Sequence, residues 1–213
     1  MKKLGLLYKN CRKSGTSVIS LLIRYCYYRI SGKLLLLHQR AIIKGSNNII
    51  TMAPVSVGTS FVGFCHRKDY TYLHIEGQLL FKGKFAIGRG CRFDIGMNAK
   101  VTIGSNGFIN PFTNIIITDN LTIGDDVAIS WNCQILDNDF HEVHYEGKKQ
   151  KSNNIVIGNK VWIGSNVSIY KGAVIPDGCV VAANSVVRNS FSETNCIIGG
   201  NPAKVIKSNI SWS

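Results

Sequence analysis

The sequence repeats with a period of six residues from Val156 to Val187. An α-helix returns to the same face after three or four residues and again after seven, so it does not produce this period. A coil in which short strands and turns alternate, with equivalent strands stacked, does produce it. Two apolar sets follow the period, two positions apart: Ile157, Ile163, Ile169, Ile175, Val181 and Val187, and Ile155, Val161, Val167, Ala173 and Cys179. The stretch therefore predicts a parallel β-helix.

The same six-residue step continues upstream of this stretch. A sandwich or meander of short strands is the alternative, but it would place turns about every 8–12 residues rather than at a fixed step. We therefore expect three hexapeptides per turn of coil across residues 73–136 and again across 155–188. The upstream positions are Leu73, Leu79, Phe85, Cys91, Met97, Ile103, Ile109, Ile115, Leu121, Val127 and Cys133, with Ile117, Ile123, Ile129 and Ile135 as a companion set.

Residues 137–154 interrupt the period with the polar sequence DNDFHEVHYEGKKQKSNN. A long segment without secondary structure is uncommon in a compact fold, and it usually has a function. We call residues 137–154 the arm and predict that it is a loop extruded from the coil.

These boundaries predict a mainly β chain with an N-terminal helical segment and one protruding loop. The predicted order is a basic helical segment at 1–44, an irregular lead-in at 45–72, the β-helix at 73–188 with the arm at 137–154, and a C-terminal tail at 189–213. A solenoid buries its core by stacking its repeats, so the coil is also expected to need capping at its ends.

The chain carries a formal net charge of +13 and seven scattered cysteines. The charge favours an anionic partner such as nucleic acid, acidic lipid headgroups, a polyphosphorylated cofactor or an acidic glycan. Nucleic acid is the least favoured of these, because the chain has no aromatic-basic RNA motif and no recognition helix. Cys91, Cys133 and Cys179 fall on inward positions and no CxxC pair occurs, which indicates a reducing, cytoplasmic compartment.

The N-terminal segment has no signal-peptide cleavage pattern and no membrane span. Its most apolar stretch, SVISLLIRYCYYRI, is interrupted by Arg24 and Arg29, and it is too short to cross a bilayer. From Ser17 to Arg40 the apolar residues recur at helical spacing among basic ones. Two interpretations stay open: a helical cap on the first coil, and a basic amphipathic helix at the inner face of an anionic membrane. One helix can do both.

The stretch VWIGSNVSIYKGAVIPDGCVVAANSVV, followed by GGNPAKVIK, resembles the C-terminal half of the hexapeptide acyltransferases. The resemblance is to the branch of the galactoside, maltose and polysaccharide O-acetyltransferases, and it extends over roughly residues 75–207. It implies a left-handed β-helix and a homotrimer with active sites in the clefts between subunits. It also implies acetyl-coenzyme A as the acyl donor and no metal.

His141, on the arm, is the predicted general base. Imidazole side chains titrate near neutral pH, which suits this role. The resembled family carries its catalytic histidine on this loop, and the D-x-D-x-H pattern from Asp137 to His141 resembles that of the polysaccharide O-acetyltransferases. His144 is the rival. A lone HxxH pair on a loop is a weak metal signal, so no metal site is predicted.

Three arm carboxylates could orient the His141 imidazole: Asp137, Asp139 and Glu142. The sequence leaves the choice open, and the resemblance favours Glu142. Asn114, in FTNIIITDN, resembles the family's asparagine that hydrogen-bonds the acceptor sugar. Asn114 and Asp139 are therefore the predicted acceptor-binding residues.

Trp162 lies between two inward residues, so its side chain is predicted to point out of the coil. The resemblance makes Trp162 part of the wall of the catalytic site. It also places the backbone amides of Ser165 and Ala183 along the thioester and pantetheine arm, and Arg188 and Lys204 near the nucleotide phosphates. Arg188 stands where the family often has Ser or Thr followed by Lys.

The resulting hypothesis is an acetyl-coenzyme A-dependent O-acetyltransferase. Its acceptor would be a sugar hydroxyl of a surface polysaccharide, such as capsule, lipopolysaccharide or exopolysaccharide, or of a precursor. One alternative is N-acetylation of an amino-sugar nucleotide. Another is a non-catalytic hexapeptide scaffold, against which the presence of His141, Trp162 and the GNPAK stretch argues.

Overall fold

The computed structural model describes residues 2–60, 63–66, 68–142, 144, 146 and 152–213. Two helices open the chain, α1 (Lys2–Ser14) and α2 (Val18–Ile30), and one turn of 3₁₀-helix spans Ser46–Asn48. The strands are β1 (Leu35–Leu37), β2 (Ala41–Lys44), β3 (Ile49–Thr51), β4 (Val55–Val57), β5 (Thr71–Ile75), β6 (Gln78–Phe81), β7 (Phe85–Ile87), β8 (Arg92–Ile95), β9 (Lys100–Ile103), β10 (Gly107–Ile109), β11 (Asn114–Ile117), β12 (Asn120–Ile123), β13 (Ala128–Ile129), β14 (Gln134–Leu136), β15 (Ile155–Ile157), β16 (Trp162–Ile163), β17 (Ser168–Tyr170), β18 (Val174–Ile175), β19 (Val180–Val181), β20 (Val186–Val187), β21 (Ile197–Gly200) and β22 (Ala203–Lys207).

In the described residues these strands form three sheets. Sheet A has the order β1-β4-β7-β10-β13-β16-β19-β21-β22, sheet B the order β2-β5-β8-β11-β14-β17-β20, and sheet C the order β3-β6-β9-β12-β15-β18. The strand pairs are parallel, apart from the antiparallel pair β21–β22. Each turn of chain contributes one strand to each sheet, so the predicted parallel β-helix is confirmed, together with a helical N-terminal segment.

The core is the column of inward side chains that the six-residue step selects. Both apolar sets from Ile155 to Val187 are at most 1% exposed. Ten of the eleven upstream positions are buried as well, with the cysteines at 91, 133 and 179 serving as small apolar fillers. The prediction for Met97 is wrong, because its side chain is 75% exposed.

Met97 is exposed because the upstream coils are longer than three hexapeptides. Trp162 pairs with Val180, which lies three hexapeptides further along the chain. By contrast, Ile115 pairs with Ile135 and Leu79 with Val101, and both of these steps are longer. The additional residues lie at corners, where a turn accommodates them without disturbing the stacked strands. Met97 lies in such a corner, the turn between β8 and β9.

The coil begins much earlier than the hexapeptide pattern predicts. The helical segment ends at Ile30, and the run from Leu35 to Lys44, predicted to be helical, holds β1 and β2. The lead-in predicted to be irregular contains β3 and β4 and enters β5. Ile49 pairs with Leu79, a much longer step than three hexapeptides, because a loop follows β4. This insertion hides the six-residue step in the sequence, but it leaves the strands stacked in register.

The predicted C-terminal tail also continues the coil. Val181 of β19 pairs in parallel with Ile198 of β21, and Ile198 is fully buried. The chain then turns back, and β22 pairs antiparallel with β21. The GNPAK stretch is therefore the tight connection of a hairpin at the edge of sheet A.

The corners between sheets C and A require glycine because their backbones nearly touch. A Cβ on Gly104 would lie 2.5 Å from the carbonyl carbon of Gly124, and a Cβ on Gly124 would lie 2.7 Å from that of Gly158. Real Cβ atoms do not approach backbone this closely, so these glycines allow successive coils to stack at the normal strand spacing.

Helix α2 caps the first coil. It begins at the N-cap Ser17, whose hydroxyl oxygen accepts a hydrogen bond from the amide of Ser20. Leu21 and Tyr28 are buried on its inner side. The Arg24 guanidinium donates hydrogen bonds to the carbonyl oxygens of His38 (2.9 Å) and Ala41 (2.6 Å). These contacts fix the helix to the turn that joins β1 to β2.

His38, in that turn, should make the protein sensitive to mild acid. Its side chain is 1% exposed, and its Nδ1 accepts a hydrogen bond from the amide of Arg40. Burial, followed by the positive charge of Arg89, lowers the pKa of His38 to about 4. The cations Arg40 and Arg24 act in the same direction, and the carbonyl of Gly15 opposes them. The folded protein therefore keeps this imidazole neutral at pH values where the unfolded chain binds a proton.

We expect the contribution of His38 to stability to be complete above pH 6.5 and to be lost progressively as the pH falls towards 4, by about 3 kcal/mol. Urea unfolding at a series of pH values measures this effect. His38→Asn is the matched control, because its side-chain oxygen can accept the Arg40 amide but does not titrate. An equally steep acid dependence in His38→Asn would contradict the assignment.

Candidate active site

The arm leaves the coil at a fixed point, the buried carboxylate of Asp137. Its Oδ1 accepts hydrogen bonds from the amide (2.8 Å) and the hydroxyl (3.1 Å) of Thr118, and its Oδ2 accepts one from the amide of Asp119 (2.8 Å). Burial raises the pKa of Asp137, and the hydrogen bonds from Thr118 and Asp119 partly offset that shift. Asp137 therefore anchors the arm to the preceding coil, so it is not oriented as a partner of an exposed imidazole.

His141 follows this anchor and is exposed to solvent. The carboxylate predicted to orient it, Glu142, instead lies 3.4 Å from Nε2 of His144, and both side chains are more than 80% exposed. His141 itself contacts no carboxylate among the described residues. Residues 143, 145 and 147–151 of the arm lie outside the described part of the chain.

Asp139 ties the arm to the next coil. Its Oδ2 lies 2.6 Å from the Nζ of Lys171, which follows β17 directly. The arm begins after β14, so this ion pair holds its first residues against the turn one coil further along. It leaves Asp139 half exposed, on the same side of the coil as His141.

Trp162 points outward from sheet A, as predicted, and its side chain is 43% exposed. Its indole N–H donates a 3.2 Å hydrogen bond to the hydroxyl oxygen of Ser130. The ring of Trp212 lies 6.1 Å away, centroid to centroid, and Trp212 is held by a hydrogen bond from its own indole N–H to the carbonyl of Lys160. Trp162 is therefore held from two sides on the outer face of sheet A.

Ser165 and Ala183 occupy equivalent positions at the corner between sheets A and B, which we call corner AB (residues 130–133, 164–167 and 182–185). The carbonyl of Ser165 accepts the amide of Asn184, one coil later. Asn166 and Asn184 have positive φ, which an asparagine tolerates better than most residues. The amides of Ser165 and Ala183 donate no hydrogen bond to any described residue. Two backbone donors are thus available on one column.

Arg188 and Lys204 lie together in a groove of about 660 Å³ at the end of the coil. The two residues are brought together because β22 folds back along β21 at the edge of sheet A, while Arg188 directly follows β20. Among the described residues no carboxylate lines the groove, so its two cations favour an anionic ligand. The lining residues are Ser152, Gly172, Arg188, Asn189, Ser190, Phe191, Ala203, Lys204 and Val205.

Asn114 is the first residue of β11, and its half-exposed side chain points out of sheet B. In the parallel ladder it lies between Arg92 and Gln134. This face is polar, which suits a hydroxyl-rich ligand. The side chain of Asn114 makes no hydrogen bond with the described residues.

The predicted site residues fall into two groups on this chain. Trp162, Ser165 and Ala183 lie on sheet A and at corner AB. His141, Asp139 and Arg188 lie at the corner between sheets B and C, which we call corner BC (residues 137–142, 152–154, 171–173 and 188–190). The strands of sheet B separate the two corners, and three residues of strand span about 10 Å. One chain alone therefore does not gather all the predicted residues around one point.

Several residues that shape these groups were missed by the sequence analysis. Ser130 and Trp212 hold Trp162, Lys171 holds Asp139, and Phe191 lines the groove. Ser130 and Lys171 are corner residues that directly follow strands, which the hexapeptide register could have revealed. Trp212 is far from Trp162 in sequence, and no pattern predicts that contact. Within the described residues, no cluster of three or more His, Cys, Asp or Glu side chains could hold a metal ion.

The fold and these groups can be compared with known proteins. The model of the family described as Bacterial transferase hexapeptide (six repeats) matches residues 154–189. A protein of the cps region of Klebsiella pneumoniae, uncharacterized and of 24.8 kDa, is 38% identical over 215 residues, which span 100% of this chain and 96% of that protein. The chain belongs to the hexapeptide-repeat acetyltransferase family. This confirms the resemblance stated above.

Relatives of this hexapeptide acetyltransferase include two named for sugar O-acetylation. WbbJ of Escherichia coli K12, named for O-acetyl transfer in lipopolysaccharide biosynthesis, is 33% identical over 64% of this chain and 74% of its own length. The galactoside O-acetyltransferase of Escherichia coli K12 is 38% identical over 54% of this chain and 56% of its own length. Among solved structures, the N-acyltransferase AntD from Bacillus cereus, in complex with dTDP and coenzyme A, shares the fold with a TM-score of 0.55 at 21% identity, over 83% of this chain and 82% of its own.

Proposed function

We propose that this hexapeptide acetyltransferase transfers an acetyl group from acetyl-coenzyme A to a sugar hydroxyl. The acceptor is a surface polysaccharide of the capsule, lipopolysaccharide or exopolysaccharide type, or its precursor, and the reaction takes place in the cytoplasm. The observation that carries the proposal is the groove at the end of the coil, which brings Arg188 and Lys204 together with no carboxylate among its described lining residues.

The relatives support the acceptor class. WbbJ and the galactoside enzyme are both named as O-acetyltransferases of sugar-containing molecules, and the Klebsiella protein belongs to a cps region. The polar outer face of sheet B around Asn114 suits such an acceptor, because hydroxyl groups need hydrogen-bond partners that replace water.

The donor fits along the last coils. Arg188 and Lys204 would bind its phosphates by charge-assisted hydrogen bonds. The amides of Ser165 and Ala183 have no partner among the described residues, so they are available to the amide groups of the pantetheine arm and to the thioester oxygen. AntD was solved with coenzyme A, which supports coenzyme A as the donor carrier in this fold.

The chemistry needs a base, an oxyanion donor and a fixed geometry. Acetyl-coenzyme A supplies an activated acetyl group, so no acyl-enzyme is required. His141 accepts the proton of the acceptor hydroxyl as that oxygen attacks, and it returns the proton to the coenzyme A sulfur as the carbon–sulfur bond breaks and the free thiol leaves. The amide of Ser165 donates a hydrogen bond to the oxygen on which negative charge develops. Trp162, fixed by Ser130 and Trp212, forms a wall that holds the reacting groups together.

A homotrimer would unite the two groups of site residues. In one chain, Trp162 lies on sheet A and Ser165 at corner AB, whereas His141 and Arg188 lie at corner BC, beyond the other end of the sheet B strands. A neighbouring subunit could present its own corner BC to corner AB of the first. Each site would then take its base from one subunit and its oxyanion donor from another.

Two other functions remain as alternatives. AntD is an N-acyltransferase, and N-acetylation of an amino-sugar nucleotide would use the same donor groove. WbbJ and the galactoside enzyme are more similar to this chain in sequence than AntD is, and both are named for O-acetylation, which favours that reaction. A non-catalytic scaffold would have no use for a groove whose described lining holds two cations and no carboxylate.

Titration calorimetry with acetyl-coenzyme A tests the proposal without knowledge of the acceptor. We expect saturable binding of one molecule per subunit. Arg188→Ala and Lys204→Ala should each weaken binding about tenfold, the size expected for one charge-assisted hydrogen bond. The same titrations should be made with the 3′-dephospho form of the donor. The variant that has lost the side chain bound to the 3′-phosphate should then differ less from the wild type in affinity.

Lys84→Ala is the matched control, because Lys84 is an exposed cation far along the coil from the groove. It should bind the donor as the wild type does. A folded wild-type protein that shows no binding would support the scaffold alternative. Equal weakening in Lys84→Ala would mean that the overall charge, rather than the groove, attracts the donor.

A further inference from the structure

Helix α2 has two apolar sides, and only one of them packs against the coil. Leu21 and Tyr28 face inward and are buried. The opposite side carries residues at spacings of three and four, which place them in one stripe along the helix. We call these residues the outer stripe: Ile19, Leu22, Ile23, Cys26, Tyr27 and Ile30.

The outer stripe is unusually open to solvent. Ile19 is 73% exposed, Ile23 65%, Tyr27 68% and Ile30 89%. In the described part of the chain, five of the 18 exposed large apolar residues lie on this helix of 13 residues. Tyr8 lies on α1, and the others are spread over the coil and its loops. A contiguous exposed apolar stripe of this kind marks an interaction surface.

The charge around the outer stripe indicates what covers it. The chain has no aspartate or glutamate before Asp69, whereas residues 1–44 contain ten lysines and arginines. Lys9, Arg12 and Lys13 at the end of α1 are exposed, and so is Arg29, next to Ile30. An apolar stripe with Arg29 beside it, on a segment rich in cations and without acidic residues, is complementary to an anionic lipid surface. A second copy would bring like charges together across a symmetric contact.

The helix is held in place to make this contact. Arg24 points inward and is bound to the carbonyls of His38 and Ala41, so the outer stripe cannot rotate towards the coil. With 13 residues the helix is about 20 Å long. No helix of the described chain is long and apolar enough to cross a membrane. The geometry fits a helix that lies flat in the headgroup region.

We propose that the outer stripe of α2 docks on the surface of an anionic lipid membrane and holds the protein there as a peripheral protein. Helix α2 packs on β1 in the first coil, which also holds β2. Arg188 of the groove follows β20, and β20 lies six strands from β2 in sheet B, about 29 Å at the usual strand spacing. The donor groove would then face solution while the first coil rests on lipid. Lipid docking itself does not depend on the proposed transferase activity.

Co-flotation of the full-length protein with vesicles tests this proposal. We expect binding to vesicles that contain phosphatidylglycerol and little binding to pure phosphatidylcholine, with a loss of binding in high salt. The triple variant Ile19→Ser, Ile23→Ser and Ile30→Ser should bind the anionic vesicles at least tenfold more weakly. These side chains are exposed and make no core contact, so the melting temperature and acetyl-coenzyme A binding should stay unchanged.

Ile50→Ser combined with Met97→Ser is the matched control, because both residues are exposed apolar side chains on the coil. This variant should float as the wild type does. The proposal would be overturned if the triple variant bound anionic vesicles as tightly as the wild type. It would also be overturned if the triple variant changed the molecular mass in solution, since the outer stripe would then be a contact between copies. Equal binding of the wild type to neutral and anionic vesicles would overturn it too, because the docking surface requires anionic lipid.

Discussion

His141→Ala should lower the kcat of acetyl transfer by about 10²–10⁴-fold, the usual contribution of a general base. Acetyl-coenzyme A affinity should stay within about twofold of wild type, because the donor groove around Arg188 and Lys204 does not include the arm's exposed histidine. The measurement is steady-state release of free thiol with a glycan acceptor, alongside calorimetric titration of the donor. Added imidazole should restore part of the lost rate.

His144→Ala is the control for this experiment. His144 lies three residues further along the same arm, is also exposed, and is paired with Glu142. It should retain most of the activity. The opposite result, with full turnover in His141→Ala and none in His144→Ala, would move the base to His144 and make Glu142 its partner. Loss of activity in both variants would require both imidazoles, and near-normal turnover in both would remove the arm histidines from the mechanism.

Asp137→Ala should have the largest effect on stability that we expect from a polar residue near the site. The substitution removes the carboxylate that accepts three hydrogen bonds, so the backbone amides of Thr118 and Asp119 lose their acceptor. The expected cost is about 3 kcal/mol. For a chain of this size that corresponds to a melting temperature lower by roughly 6–12 °C. Because Asp137 anchors the arm, kcat should fall as well, while the donor affinity stays the same.

Asp139→Ala is the matched control, two residues along the chain. Asp139 is half exposed, and its ion pair with Lys171 is a surface contact, which contributes about 0–1 kcal/mol. Its melting temperature should therefore be close to that of the wild type. An equal fall in melting temperature in Asp137→Ala and Asp139→Ala would show that burial does not distinguish the contributions of the two carboxylates to stability. A fall in kcat in Asp139→Ala with unchanged stability would support its predicted contact with the acceptor.

The sequence predicted the architecture correctly where each coil has the regular length of three hexapeptides. From Ile155 to Val187 each coil takes three hexapeptides, so the step of six identifies every inward position. Upstream of these coils, the step of six gave a wrong prediction for Met97 and did not identify the first strands, because loops and corner residues lengthen those coils. Strand stacking tolerates such insertions, since the additional residues turn outward. A fixed period in the sequence is therefore sufficient for this fold but not necessary.

The sequence predicted the individual residues of the candidate site, but it did not predict how they are arranged in space. The resemblance named His141, Trp162, Ser165, Ala183, Arg188 and Lys204. The structure brings Arg188 and Lys204 into one groove, and it leaves His141 and Ser165 at different corners of the coil. In the structure Glu142 pairs with His144, and Asp139 pairs with Lys171. Contacts of this kind depend on which corners face each other, and sequence spacing within a loop does not determine that.

The sequence by itself determined the coil, because a period of six apolar positions can be buried only by stacking short strands. It also determined the excess of positive charge at the N-terminus, since no acidic residue occurs before Asp69. Only the tertiary structure decided which side of α2 is free. Leu21 and Tyr28 are held against the first coil, whereas Ile19, Ile23 and Ile30 remain exposed, although all five are apolar residues of one short helix. The physical reason is that burial depends on what a helix packs against, and Arg24 selects that side by bonding to carbonyls in the turn after β1.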